Sequence, residues 1–361
     1  MNSIRSLALL VVVSTIFALV TQVGLASSIR VASSSQMLGA NLPSGVIMPW
    51  FCLQRCDNTT IDQIKDHVNQ IIKINQDFKA GKSSFKVEAV AFERYNLGEG
   101  GTVVKNPESE LFDLNKYLME LERDHHIDTG IKYRVAMVSS FPYPPQILNW
   151  TRALMQDQKP FIEALRKDLI ENDIHGINLD LEPTNDATTT DGVNYAALLR
   201  KLKLDLAGIT SLHQPQGKFL TVAAATWGKL WNMPLMAEAL RPEFISGSSE
   251  GGRVAEGYLT SMNTYTITEM TFSEQVTKNM QAFKYPPYDP TSPTKGNTTG
   301  SLVTGLGAYG PSMFPSTAQV VQHFDVLAAN NLCQIALWKA PIPANMMPSL
   351  ETFGSRCIKR N

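Results

Sequence analysis

Eight short runs of β-branched and apolar residues alternate with stretches of helical period along this 361-residue chain. Val46–Phe51, Lys86–Phe92, Tyr133–Ser139, Ile174–Glu182, Phe219–Thr226, Tyr258–Tyr265, Leu302–Ala308 and Cys333–Trp338 read as strands. Each is followed by a stretch whose apolar residues recur every three or four positions. These are Ile61–Ile74, Leu111–Arg123, Phe161–Glu171, Tyr195–Ala207, a poorer one at Leu235–Leu240, Phe272–Phe283, Thr317–Ala329 and Met346–Phe353. Strands that alternate with helices pair in parallel, because each helix is the crossover that returns the chain to the same end of the sheet. Eight such units in about this length predict an α/β fold, a closed (β/α)8 TIM barrel in a single domain. No Gly-rich dinucleotide or phosphate loop follows the first strand, which removes the main reason to prefer an open sheet. Leu97–Asn106, Asn185–Asp191, Ser246–Glu256 and Tyr285–Ser301 read as surface loops, and those after strands are placed to shape a cleft.

The N-terminus has the order of a targeting segment. Arg5 precedes an apolar run from Leu7 to Val20, and Gly24 and Ala26 put small residues where a signal peptidase cuts. Residues 1–26 are read as a signal peptide, 27–44 as a flexible lead-in and 45–361 as the barrel, an uncleaved anchor being the other reading of the leader. No later stretch is long and apolar enough to span a bilayer. The expected destination is the cell exterior or a lysosome- or vacuole-like lumen, as a monomer without membrane contact once the signal is gone. Sequons at Asn58, Asn149 and Asn297 agree with that route, but only together with the leader.

Four cysteines allow three pairings, and Cys52–Cys56 with Cys333–Cys357 closes the shortest loops. A zinc site has less support, because no second C-x2-4-C or nearby histidine pair completes one. Net charge is -1 with both signs interspersed, so no basic stripe is available for phosphates and nucleic acid is not an expected partner. Such a protein must hold its ligand by shape, stacking and hydrogen bonds.

In parallel barrels the chemistry sits at the C-terminal ends of the strands. The fourth strand ends Gly176-Ile177-Asn178-Leu179-Asp180-Leu181-Glu182-Pro183. Side chains alternate along a strand, so Ile177, Leu179 and Leu181 face the helices while Asn178, Asp180 and Glu182 face the barrel mouth. Burying a polar triplet is costly without a use for it. Two carboxylates about 7 Å apart on one face repel, so one of them holds a proton, and Glu182, outermost, is the expected holder. A polar network that only closes the barrel, or a divalent-cation site, are the competing readings. No histidine or third carboxylate stands at a matching strand end for the latter.

His175-Gly176-Ile177-Asn178-Leu179-Asp180-Leu181-Glu182 resembles the D-G-x-D-x-D-x-E signature of glycoside hydrolase family 18, the chitinases and endo-β-N-acetylglucosaminidases. Met262-Asn263-Thr264-Tyr265-Thr266 is similar to that family's M-x-Y-D on the sixth strand, and Thr304–Gly310, with Tyr309, to its G-x-P-x-Y-G on the seventh. Trp338 ends the eighth strand, where the family keeps a tryptophan under the sugar. The departures are His175 for the first Asp, Asn178 for the second (shared with the lysosomal chitobiase-like branch), Thr266 for the Asp after tyrosine, and Ser139-Ser140-Phe141 for a Ser-x-Gly-Gly.

The resemblance implies a hydrolase for β-1,4-linked N-acetylglucosamine glycans that needs no cofactor. Its partner would be an N-acetylglucosamine-containing oligosaccharide or polysaccharide. The substrate's own acetamido carbonyl would attack the anomeric carbon in place of a protein nucleophile. Glu182 would be the acid and then the base, Asp180 would hold the acetamido N–H, and Tyr265 would donate to its oxygen. Asn178 would orient Asp180, and Trp338, with Trp227 and Tyr309, would bind the sugar. Tyr265 and Trp338 also read as core aromatics, Trp227 and Trp231 as packing, and His175 as core filling. The rival function is a silent lectin that binds the same glycans.

Overall fold

The computed structural model describes residues 38–39, 42, 45–56, 58–182, 186–245, 253–265, 271–283, 301–308 and 315–358. The leader, Thr266, the sequon at Asn297 and Tyr309 lie outside these residues.

Eight parallel strands close into a barrel: β1 (Ile47–Phe51), β2 (Ala89–Leu97), β3 (Tyr133–Ser139), β4 (Gly176–Asp180), β5 (Phe219–Ala224), β6 (Gly257–Ser261), β7 (Leu302–Gly307) and β8 (Ile335–Trp338). Each pairs with its successor, and closure is made on both sides of β1, by Ile335 opposite Ile47 and by Trp50 opposite Ala91. The surrounding helices are α1 (Ile61–Lys79), α2 (Leu114–Arg123), α3 (Lys159–Glu171), α4 (Thr189–Ala207), α5 (Met233–Leu240), α6 (Phe272–Phe283), α7 (Thr317–Ala329) and α8 (Met347–Cys357). The single-domain barrel is the one that the alternation predicts.

Helix starts follow from local chemistry. Thr60, Thr188 and Ser316 each accept from a backbone N–H three residues on, and Gln63, Asp191 and Gln319 reach back to the cap. The box at Thr188 starts α4 well before Tyr195, so part of the expected loop Asn185–Asp191 is helical.

Three further departures matter for the site. First, β2 does not stop at Phe92 but runs to Leu97 through a register shift between Glu93 and Tyr95, then pairs antiparallel with Val103–Lys105. Part of the expected loop Leu97–Asn106 is therefore a hairpin arm. Second, a helix at Ile147–Gln156 precedes α3. Third, within the lead-in, Leu38–Gly39 pairs with Arg253–Val254, and the Leu42 N–H donates to the Tyr258 hydroxyl at 2.9 Å. These three described residues are tied to the segment that leads into β6, and Arg253–Ala255 is a strand where Ser246–Glu256 reads as loop.

Both cysteine pairs are joined as expected, Cys52–Cys56 and Cys333–Cys357. The second ties the start of β8 to the end of α8. Asn58 and Asn149 are exposed. Among the described residues no helix is long and apolar enough to cross a membrane.

Candidate active site

At the C-terminal ends of the strands lies a cleft of about 280 Å3. β1 contributes Trp50, β8 Trp338, the end of β4 Asp180 and Glu182, and the turn after β6 Met262 and Tyr265. Tyr143 and Trp227 come from the segments after β3 and β5. Five residues singled out from the sequence thus meet here: Asp180, Glu182, Tyr265, Trp338 and Trp227. Met262 opens the run that resembles M-x-Y-D, while Trp50 and Tyr143 belong to no motif.

The two carboxylates are held differently. The Glu182 backbone N–H donates to Ser140 Oγ (2.9 Å) and the Ser140 N–H to the Asp180 carbonyl (3.0 Å), which locks the end of β4 to that of β3. Glu182 is half-buried, and its Oε1 accepts from the Tyr143 hydroxyl at 2.9 Å. Asp180 is buried, and its Oδ1 has no hydrogen-bond partner among the described residues. Burial, and then the charge of Glu182, push its carboxyl well above the usual range, although Arg55 opposes them. The neutral form of Asp180 is therefore favoured by its surroundings.

Asn178 is fully buried one step deeper. Its Nδ2 donates to Thr221 Oγ1 at 2.7 Å, across the β4–β5 pair. Its Oδ1 has no partner among the described residues.

Tyr265 stands opposite. Its N–H donates to the Met262 carbonyl at 3.0 Å, a turn that brings the ring over the barrel. The ring meets Trp50 edge-on at 6.4 Å, and Trp50 meets Trp338 edge-on at 5.4 Å. The Tyr265 hydroxyl is buried with no partner among the described residues. Burial, then the charges of Asp180 and Glu182, hold that phenol well above its ordinary range, so it remains a donor. Trp227 is half-exposed and packs edge-on against the buried Trp231, at 6.1 Å.

A cation absent from the sequence reading supports this site. Arg55 lies in the turn Leu53–Arg55 that the Cys52–Cys56 bridge closes, and it forms an ion pair with the buried Glu93 of β2. It also donates to Ser139 Oγ (3.2 Å) and lies 4.6 Å over the Phe141 ring. Asn106 Nδ2 donates to the other Glu93 oxygen at 3.0 Å. Burial outweighs Arg55 and raises Glu93 to about 7. The only sequence signal for this layer was a pair of charges in a strand-like run, which the register shift in β2 carries past the expected strand end.

His175 takes no part in the cleft. It precedes β4 at the opposite end of the barrel, where its Nδ1 faces the Arg134 N–H and its ring meets Tyr133. Burial lowers it to about 4, so it is neutral. Around it Arg134 pairs with Asp173 at 2.9 Å, and Gln214 bridges Asp173 and the buried Lys218. Among the described residues no three metal-ligating side chains stand together.

No family model and no curated protein matches the sequence. Solved structures do. A chitinase from Chromobacterium violaceum superposes with a TM-score of 0.55 at 10% identity, over 88% of this chain and 100% of that one. An Ostrinia furnacalis Group IV chitinase in complex with allosamidin gives 0.55 at 13%, over 85% and 98%. A family 18 N-acetylglucosaminidase from Paenibacillus barengoltzii gives 0.53 at 12%, over 85% and 99%. The chain has the fold of the family 18 chitinases. These neighbours are glycoside hydrolases; at such identity the likeness is one of fold.

Proposed function

We propose that the protein is a glycoside hydrolase that cleaves β-1,4-linked N-acetylglucosamine glycans with the substrate's acetamido group as nucleophile. The observation that carries this reading is the pair of unpartnered buried polar groups, Asp180 Oδ1 and the Tyr265 hydroxyl, beside Glu182 in one cleft. A buried acceptor and a buried donor left without partners cost stability unless a ligand completes them. An acetamido group offers the complement, an N–H for Asp180 and a carbonyl oxygen for Tyr265.

The chemistry follows from that placement. The acetamido oxygen attacks the anomeric carbon as the glycosidic bond breaks, and the leaving oxygen takes the proton of Glu182. A hydrogen bond from the acetamido N–H favours ionised Asp180, which steadies the positive charge that develops on the ring. Glu182 then removes a proton from the water that opens the cyclic intermediate. Trp338, braced by Trp50, is the face on which the sugar stacks, and Trp227 is placed to extend it.

The same reading makes the protein a glycosylated one, modified at Asn58, Asn149 and Asn297, that acts as a monomer outside the cell or in a lysosome- or vacuole-like lumen after loss of residues 1–26. A silent lectin would use the same cleft, and the engagement of Asn178 with Thr221 is the observation on its side. Product stereochemistry tests the mechanism. Proton NMR of chitotetraose during digestion should show β-anomeric reducing ends first, whereas α-anomers first would contradict participation of the acetamido group.

A further inference from the structure

The structure assigns Tyr143 a role that no motif indicates: its hydroxyl, bonded to Glu182 Oε1, fixes the acid so that the other carboxyl oxygen delivers the proton to the departing sugar. This inference rests on the proposed hydrolysis and adds one residue to it.

Two independent observations place Tyr143 there. The first is the bond itself, 2.9 Å from the phenol oxygen to Glu182 Oε1, between side chains that both line the cleft. The second is the backbone. Tyr143 has φ of 59°, the left-handed region, which a bulky residue keeps only where its surroundings hold it. Its N–H donates to the Ser140 carbonyl at 2.8 Å, closing the turn, and its ring meets Phe141 edge-on at 5.7 Å. Phe141 in turn lies under Arg55, which is tied to Glu93 and to Ser139. A strained tyrosine braced through an aromatic and an ion pair to the barrel is oriented, not adrift on a loop.

A donor in this position acts selectively. A protonated carboxyl accepts weakly through its carbonyl oxygen and a carboxylate accepts strongly. As Glu182 loses its proton to the leaving oxygen, the Tyr143 bond strengthens, so it favours the transition state over the ground state. The proton passes from Glu182 to the glycosidic oxygen, and Tyr143 keeps its own, its phenol being held above the ordinary range by burial and by the charge of Glu182.

The test compares Tyr143→Phe with the parent on two substrates. Chitotetraose has a sugar leaving group that needs a proton, and 2,4-dinitrophenyl di-N-acetylchitobioside has one that does not. Tyr143→Phe should lower kcat/KM about tenfold or more on chitotetraose and less than about twofold on the aryl glycoside. It should also move the basic limb of the chitotetraose profile to higher pH, because removing the donor favours the protonated acid. Equal losses on both substrates, or no loss on either, would overturn the role while leaving the hydrolase standing. A parent that turns over neither substrate would defeat the hydrolase reading, and this role with it.

Discussion

Gly305 of β7 lies against the ring of Tyr265. A Cβ built on Gly305 would collide with that ring, its Cδ1 being 2.8 Å away, and with the Ser261 carbonyl oxygen. The Gly305 N–H donates to Ser261 Oγ at 3.1 Å and its carbonyl accepts from Thr264 Oγ1 at 2.7 Å, so the backbone around the missing side chain is fixed. Gly305→Ala must displace Tyr265 or part β6 from β7. We expect a loss of about 1–3 kcal/mol in urea unfolding, with turnover falling further than stability.

Tyr265→Phe separates function from folding. The hydroxyl is buried without a partner among the described residues, so its removal deletes an unmet polar group. Stability should be unchanged or rise by up to about 1 kcal/mol. On chitotetraose kcat should fall about 100-fold, as for other preorganised donors that meet developing charge. A destabilised variant, or one with full activity, would show that the hydroxyl has another task.

Glu93 supplies a pH dependence of stability. Folded, it titrates at about 7; unfolded, it titrates near the ordinary 4.5. A carboxyl raised by folding stabilises the fold below the unfolded value, and that contribution is lost as the pH rises through the folded value. The parent should therefore lose about 3 kcal/mol between roughly pH 4.5 and 7 through this group. Glu93→Gln cannot lose it. Whatever the offset from leaving Arg55 without its anion, the stability difference should move in the variant's favour across that interval, read from urea curves at each pH. A difference that stays flat would mean that Arg55 keeps Glu93 ionised throughout.

The barrel was legible because its period is local. A buried parallel strand is an unbroken apolar run, and eight of these set the fold before any contact is known. Parity along β4 then located Asp180 and Glu182 at the mouth, and the shortest loops identified both cystine pairs. Arg55, Glu93 and Tyr143 were not legible, for three physical reasons. Arg55 reaches the site from a turn that only the closed Cys52–Cys56 loop positions. Glu93 sits at a register shift, where two-residue alternation no longer tells inside from outside. Tyr143 depends on a left-handed backbone among prolines, with no periodic signature.

Whether Glu182 is the acid of a working hydrolase is read from turnover of a fluorogenic di-N-acetylchitobioside between about pH 4 and 7, for the parent and Glu182→Gln. Hydrolysis by the parent is expected, with a loss of about 100- to 10,000-fold in the variant and the fold and glycan binding retained. Chito-oligosaccharides that bind the parent without being cleaved would contradict it and make the cleft that of a lectin.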